Sequence, residues 1–186
     1  PGNGDGTFKS AQRIPTGYSW HSGIVVADFN NDGFLDMATK GGQTGTYGAM
    51  LVFAASSDNA FGLVSQTPLT GYTDGDMSSG DLNGDGNMDI VFGDFIFYGN
   101  GQGGFDNTKS LLGGERSYRN IVADLNGDNR LDVLLVNSAA PYEVKSFINI
   151  RDNEFKMFSS GNMEYPTNAA APIADFNNDG LPDMAL

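Results

Sequence analysis

Four nine-residue strings in this chain place acidic and amide side chains at the same spacing: DFNNDGFLD (28–36), DLNGDGNMD (81–89), DLNGDNRLD (124–132) and DFNNDGLPD (175–183). Each carries oxygen donors at positions 1, 3, 5 and 9, with glycine at position 6 in three copies and Asn129 in the other. Several hard oxygen donors around a sharp turn suit Ca²⁺, which takes six to eight such ligands. Mg²⁺ prefers a stricter octahedron and keeps its waters. The donors of the first copy are Asp28, Asn30, Asp32 and Asp36, with the carbonyl of Phe34 at position 7 as a fifth. The second copy supplies Asp81, Asn83, Asp85, Asn87 and Asp89, and the third Asp124, Asn126, Asp128, Arg130 and Asp132. The fourth supplies Asp175, Asn177, Asp179, Leu181 and Asp183, again with position 7 giving its carbonyl. The expectation is about four calcium ions, one per acidic loop.

Two other readings share the first six positions. An EF-hand needs an acid at position 12 between flanking helices, but position 12 here is Thr39, Phe92, Leu135 and Leu186. Asp, Asn and Gly also form turns without any metal. That accounts for one copy better than for four that each place an Asp at position 9. Asn129 tolerates the positive φ a glycine would supply, so the third loop is expected to be distorted or weaker rather than absent.

Charge points the same way. The formal net charge is −13, and the four strings hold twelve of the 23 acidic residues but only one basic residue, Arg130. Acidity therefore belongs to the loops, and four divalent ions would bring the total to −5. No basic stripe exists to neutralise phosphates, which argues against a nucleic-acid partner. Apolar runs are too short to span a membrane, and the absence of cysteine removes disulfides and thiolate metal sites.

The elements that must carry these loops are short. Each string is preceded by GIVVAD, DMSSGD, NIVAD or APIAD and followed by DMATK, DIVFG, DVLLVN or DMAL. Partly β-branched runs of this length, bounded by Gly and Asn, read as strands. The acidic loop then joins strand 1 to strand 2 of each unit. Third strands follow at 49–55, 95–100 and 143–150, and fourth strands at 61–69, 105–112 and 154–160. The turn between them reads YGNGQGGF (98–105), matched by PGNGDGTF at residues 1–8, so a fourth strand is also expected at 7–14. The copies start 53, 43 and 51 residues apart, which suits four-stranded propeller blades. The fold class is all-β, a β-propeller of three complete blades and two partial ones, taken as residues 1–186 of a segment of a larger propeller. Flanking chain or a neighbouring subunit is expected to cover the open edges.

Asp-x-Asn-x-Asp-Gly-x-x-Asp between strands 1 and 2, with Gly-Asn-Gly-x-Gly-x-Phe between strands 3 and 4, resembles the FG-GAP/VCBS repeats of integrin-α-like calcium-binding propellers. The resemblance covers the whole chain. It implies a propeller, often seven-bladed, in a secreted or cell-surface protein that binds a protein or glycan ligand. The ligand face of such a ring lies opposite the calcium loops, which directs attention to the 4→1 segments. There stand Trp20, His21, Arg116, Tyr118 and Arg119 as candidate ligand contacts, although such aromatics also pack between blades. A non-enzymatic adhesion or binding module with structural calcium leads. A carbohydrate-binding lectin is the alternative, weakened because the single Trp is not repeated from unit to unit. An enzyme fits least: only His21 could serve a hydrolytic triad, and no GxSxG turn frames a serine. The chain could also be the non-catalytic propeller of a larger secreted enzyme.

Overall fold

The computed structural model describes residues 2–11, 13–57, 60–69, 75–113, 119–136, 143–151, 153–162 and 173–184. Arg116 and Tyr118 lie outside them, as does Leu186. The described residues form strands and turns without a helix, and none is part of a helix able to cross a membrane.

Three sheets of four antiparallel strands follow one another in strict up-and-down order. The first holds β1 (Trp20–Ala27), β2 (Asp36–Gly42), β3 (Ala49–Ala55) and β4 (Phe61–Pro68). The second holds β5 (Met77–Gly80), β6 (Asp89–Phe92), β7 (Phe95–Gly99) and β8 (Phe105–Ser110). The third holds β9 (Arg119–Ala123), β10 (Asp132–Val136), β11 (Glu143–Arg151) and β12 (Glu154–Asn162). A two-stranded pair, β13 (Ile173–Ala174) and β14 (Asp183–Met184), follows. These are propeller blades: β5 lies against both β1 and β9, so the first strands of successive sheets neighbour one another.

Burial explains the order of strands. The second strands are buried along nearly their whole length, as in Asp89–Phe92 and Asp132–Val136, where every residue is buried. Residues buried on both faces read as continuous apolar runs rather than as an alternation. Such strands need a neighbouring sheet on each side. The first sheet meets the second through Ala38, Met50 and Val52 against Ile90, Phe92 and Phe97. The second meets the third through Val91, Ile96 and Tyr98 against Val133, Leu135 and Phe147. Ile173 and Met184 of the last pair close over Leu134, Val136 and Val144.

One expected strand does not form. Residues 7–14 contribute only an isolated bridge, Gly2 to Phe8, and no continuous strand. The turn itself is kept: the Asn3 N–H donates to the Thr7 carbonyl at 3.0 Å, matching Asn100 to Gly104 at 3.0 Å. A fourth strand is held by ladder bonds to a third strand, and here only the end of such a partner is available.

Candidate metal centres

Each acidic loop begins as the first strand of its unit ends, and its ninth residue opens the second strand. The loop is built by its position-1 carboxylate. Asp28 accepts the N–H groups of Asp32 (3.1 Å) and Gly33 (2.8 Å). Asp81 accepts those of Gly84, Asp85 and Gly86 at 2.7, 3.1 and 2.9 Å. Asp175 holds Asp179 and Gly180 at 3.1 and 2.9 Å. This is an Asx-type turn, in which a short side-chain acceptor replaces a backbone carbonyl. Two residues per loop then take positive φ: position 4 (Asn31, Gly84, Gly127, Asn178) and position 6 (Gly33, Gly86, Asn129, Gly180). Glycine and asparagine are the residues that enter this region most readily.

The third loop is not distorted as expected. Asn129 sits at φ 66°, and its N–H reaches Asp124 at 2.7 Å, the bond that Gly86 makes to Asp81. What sets this loop apart is Arg130. Its guanidinium pairs with the Asp128 carboxylate, and its Nε donates to the Asn149 carbonyl at 2.9 Å. A cation must compete there with one the loop already contains.

The tips of positions 1, 3 and 5 meet in all four copies. The Asn30 amide donates to Asp32 at 2.9 Å, and the Asp32 N–H is shared by oxygens of Asp28 and Asn30. The same amide–carboxylate contact recurs at Asn83–Asp85, Asn126–Asp128 and Asn177–Asp179 (2.8, 2.9 and 3.0 Å). For Asp85, burial disfavours the charge, but hydrogen bonds from Asn87 and Asn83 outweigh it and hold its pKa below the ordinary value. Asp124 is likewise lowered: desolvation opposes ionisation, and four backbone N–H groups, Asn129 first, prevail.

Position 9 does something the spacing did not reveal. Asp36, Asp89 and Asp132 are 0 % exposed. Each carboxylate bridges two backbone donors, the N–H of position 2 in its own loop and an N–H at the end of the third strand. Asp36 takes Phe29 (3.0 Å) and Ala55 (2.9 Å). Asp89 takes Leu82 (2.9 Å) and Gly99 (2.8 Å), and Asp132 takes Leu125 (2.9 Å) and Asn149 (2.8 Å). In the last copy Asp183 holds Phe176 at 3.0 Å. Burial pushes Asp89 up to about 6 despite these N–H bonds, and the charges of Asp85 and Asp81 push further. Asp132 is raised for the same reasons, burial first, with Asp128 and Asp124 adding to it. The carboxylates of positions 1, 5 and 9 therefore feel one another, and a cation among them would reverse the sign of that effect.

No three acidic or imidazole groups among the described residues are gathered into a closed metal cage. Like charges repel, and each carboxylate is instead turned to N–H donors. The donor set still fits calcium: every contributor is an oxygen, and a carboxylate oxygen holding one N–H has a further acceptor site. Positions 1, 3, 5 and 9, with the carbonyl of position 7, are the residues that would hold it.

Each loop is also capped by the following blade. The Gly103 N–H, in the turn between β7 and β8, donates to the Phe29 carbonyl at 2.9 Å, while Asn31 donates to Asn87 at 2.8 Å. One blade on, the Asn149 amide donates to the Leu82 carbonyl at 2.6 Å. Loops two and three flank a cavity of about 170 Å³ lined by Asp81, Asn83, Asn129, Arg130 and Asn149.

The candidate ligand residues are not brought together. Trp20 lies against Gly42, with Lys40 Nζ 5.0 Å from its ring centroid and 5.6 Å from that of Phe92 in the next blade. It is 42 % exposed and packs at the boundary between two sheets. His21 is exposed. Arg119 pairs with Asp76 at 3.7 Å, linking the third blade to the segment before β5.

Strand order, acidic loops between first and second strands, and Gly-rich turns between third and fourth define a calcium-loop type of repeat propeller. The model of the FG-GAP-like repeat matches residues 1–39 and 124–186, more than half of the chain. This chain belongs to the FG-GAP-like repeat family. Among solved structures it is similar to the exotype rhamnogalacturonan lyase YesX, with a TM-score of 0.54 and 16 % identity over 88 % of this chain and 38 % of that one. At this identity the likeness is one of fold. No curated protein sequence matches it.

Proposed function

We propose that this chain is a non-catalytic binding or adhesion propeller of the extracellular space, in which calcium at the four acidic loops is structural. One observation carries the reading. Three carboxylates per loop, one fully buried and pushed to a higher pKa by the other two, are held together without a compensating cation in three of the four loops. Such an arrangement is unfavourable unless an ion relieves it. Loops this exposed at positions 1 to 5 suit the affinities of extracellular modules, roughly 10⁻⁴–10⁻³ M. Calcium would neutralise the loop, draw positions 1, 3, 5, 7 and 9 inward, and stiffen the junction between first and second strands. The ligand, protein or glycan, would meet the opposite rim near Trp20, His21 and Arg119.

Titration of the chelated protein by calorimetry is the direct test. Up to four calcium ions should bind, the loop with Arg130 being the weakest, and the thermal midpoint should rise with calcium because the ion binds the folded state. A midpoint unchanged between chelator and millimolar calcium would refute the reading.

A further inference from the structure

Inside the molecule the second residue of each acidic loop plugs the blade that follows. Phe29, 2 % exposed, sits among Met77, Ile90, Phe92 and Phe97 of the second blade, edge-on to Phe105 with centroids 6.4 Å apart. Leu82, also 2 % exposed, enters a cluster with Val133, Leu135 and Phe147 of the third. Leu125 packs with Leu134 and Val136 against Ile173 and Met184 of the last pair. The fourth loop breaks the series: Phe176 is 58 % exposed.

The matching socket stands at the other end of the array. The residues receiving Phe29 are Ile90, its register partner Phe97, and Phe105 at the start of the fourth strand. In the first blade the same register positions are Met37, Phe53 and Phe61, with Met37 paired to Phe53 and to Val26. Cross-strand partners share a sheet face, so Val26, Met37, Phe53 and Leu63 form one apolar surface. Ile14 and Tyr18 cover part of it. Its rim is open, with Ile24 64 %, Val26 53 % and Leu63 45 % exposed.

We propose that this face receives the fourth loop of a second copy of the chain, so that copies associate head to tail with Phe176 of one seated on the Met37–Phe53–Phe61 surface of the next. The contact continues an interface the molecule already makes three times within itself, and both halves are present and exposed on every copy. The chain does not close on itself, since Phe176 and Ile24 are exposed together. A heterologous contact of this kind builds chains or a ring.

Sedimentation velocity of the 186-residue protein across a concentration series, in calcium and in chelator, tests this. Association should grow with concentration, and Phe176→Asp and Val26→Asp should each sediment as monomers with unchanged far-ultraviolet circular dichroism. Both positions are more than half exposed, so folding should survive; Leu63→Asp replaces Val26→Asp should that variant fail to fold. An equimolar mixture of the two variants joins the intact loop of one to the intact face of the other, and should stop at a dimer. Wild-type protein that stays monomeric at high micromolar concentration overturns the proposal. So does a mixture that stays monomeric, or variants that associate as the wild type does.

Discussion

Position 9 of each acidic loop has two roles, and they separate experimentally. Asp89 holds the Leu82 and Gly99 N–H groups whether or not an ion is present. Replacing it by alanine leaves two buried donors without acceptors, at ~1–3 kcal/mol each. Asp89→Ala is therefore expected to lower stability by about 2–5 kcal/mol even in chelator. Asp85→Ala, at an exposed loop tip, should cost at most about 1 kcal/mol in chelator, yet remove most of the calcium-dependent stabilisation at that loop. Glu154→Ala, whose side chain is 65 % exposed beside Arg151, should shift stability by no more than about 0.5 kcal/mol in either condition. Denaturant melts of the three variants with and without calcium decide the matter. Equal losses for Asp89→Ala and Asp85→Ala in chelator would remove the distinction.

Between blades, the coupling runs through the glycine-rich turn. Gly103 has φ 79°, and a Cβ there would stand 2.9 Å from Val64 Cγ2 of the preceding blade. Gly103→Ala should destabilise the protein by about 1–2 kcal/mol through backbone strain and displacement of Val64. It should also weaken calcium at the first loop, whose Phe29 carbonyl it supports, more than at the others, and site-resolved NMR titration would show this. No change at loop one would disconnect turn from loop. The loop motif and its flanking strands were legible because their spacing recurs: β3 begins and ends where its apolar run does, and β5 forms despite its two serines. The buried clamp at position 9 was not legible, since its second donor lies at the end of the third strand, ten to nineteen residues away. Distortion of the third loop was expected from Asn129 and did not occur, because asparagine enters the left-handed region at small cost. Residues 7–14 looked like a strand by composition, but a strand is made by its partner.

Across the whole molecule, the loops carry nearly all of the net charge of −13. Repulsion within each loop is screened only by salt when calcium is withheld, over a Debye length of about 10 Å at 0.1 M. Added sodium chloride should therefore raise the thermal midpoint in chelator, and the effect should shrink once calcium is saturating. A midpoint indifferent to salt in chelator would show that the loops are already relaxed without an ion.

The cap on each acidic loop is encoded in the next sheet; for Leu82 and Asn149 the two partners lie 67 residues apart. Recombination that cuts at the sheet boundaries would deliver a loop without its cap and a cap without its loop. A cassette that transplants cleanly must start in the middle of one sheet and stop in the middle of the next. The heritable module of such an array is thus offset from the module seen by eye, and chimeras joined inside the third strand should outlive those joined in the connecting segments.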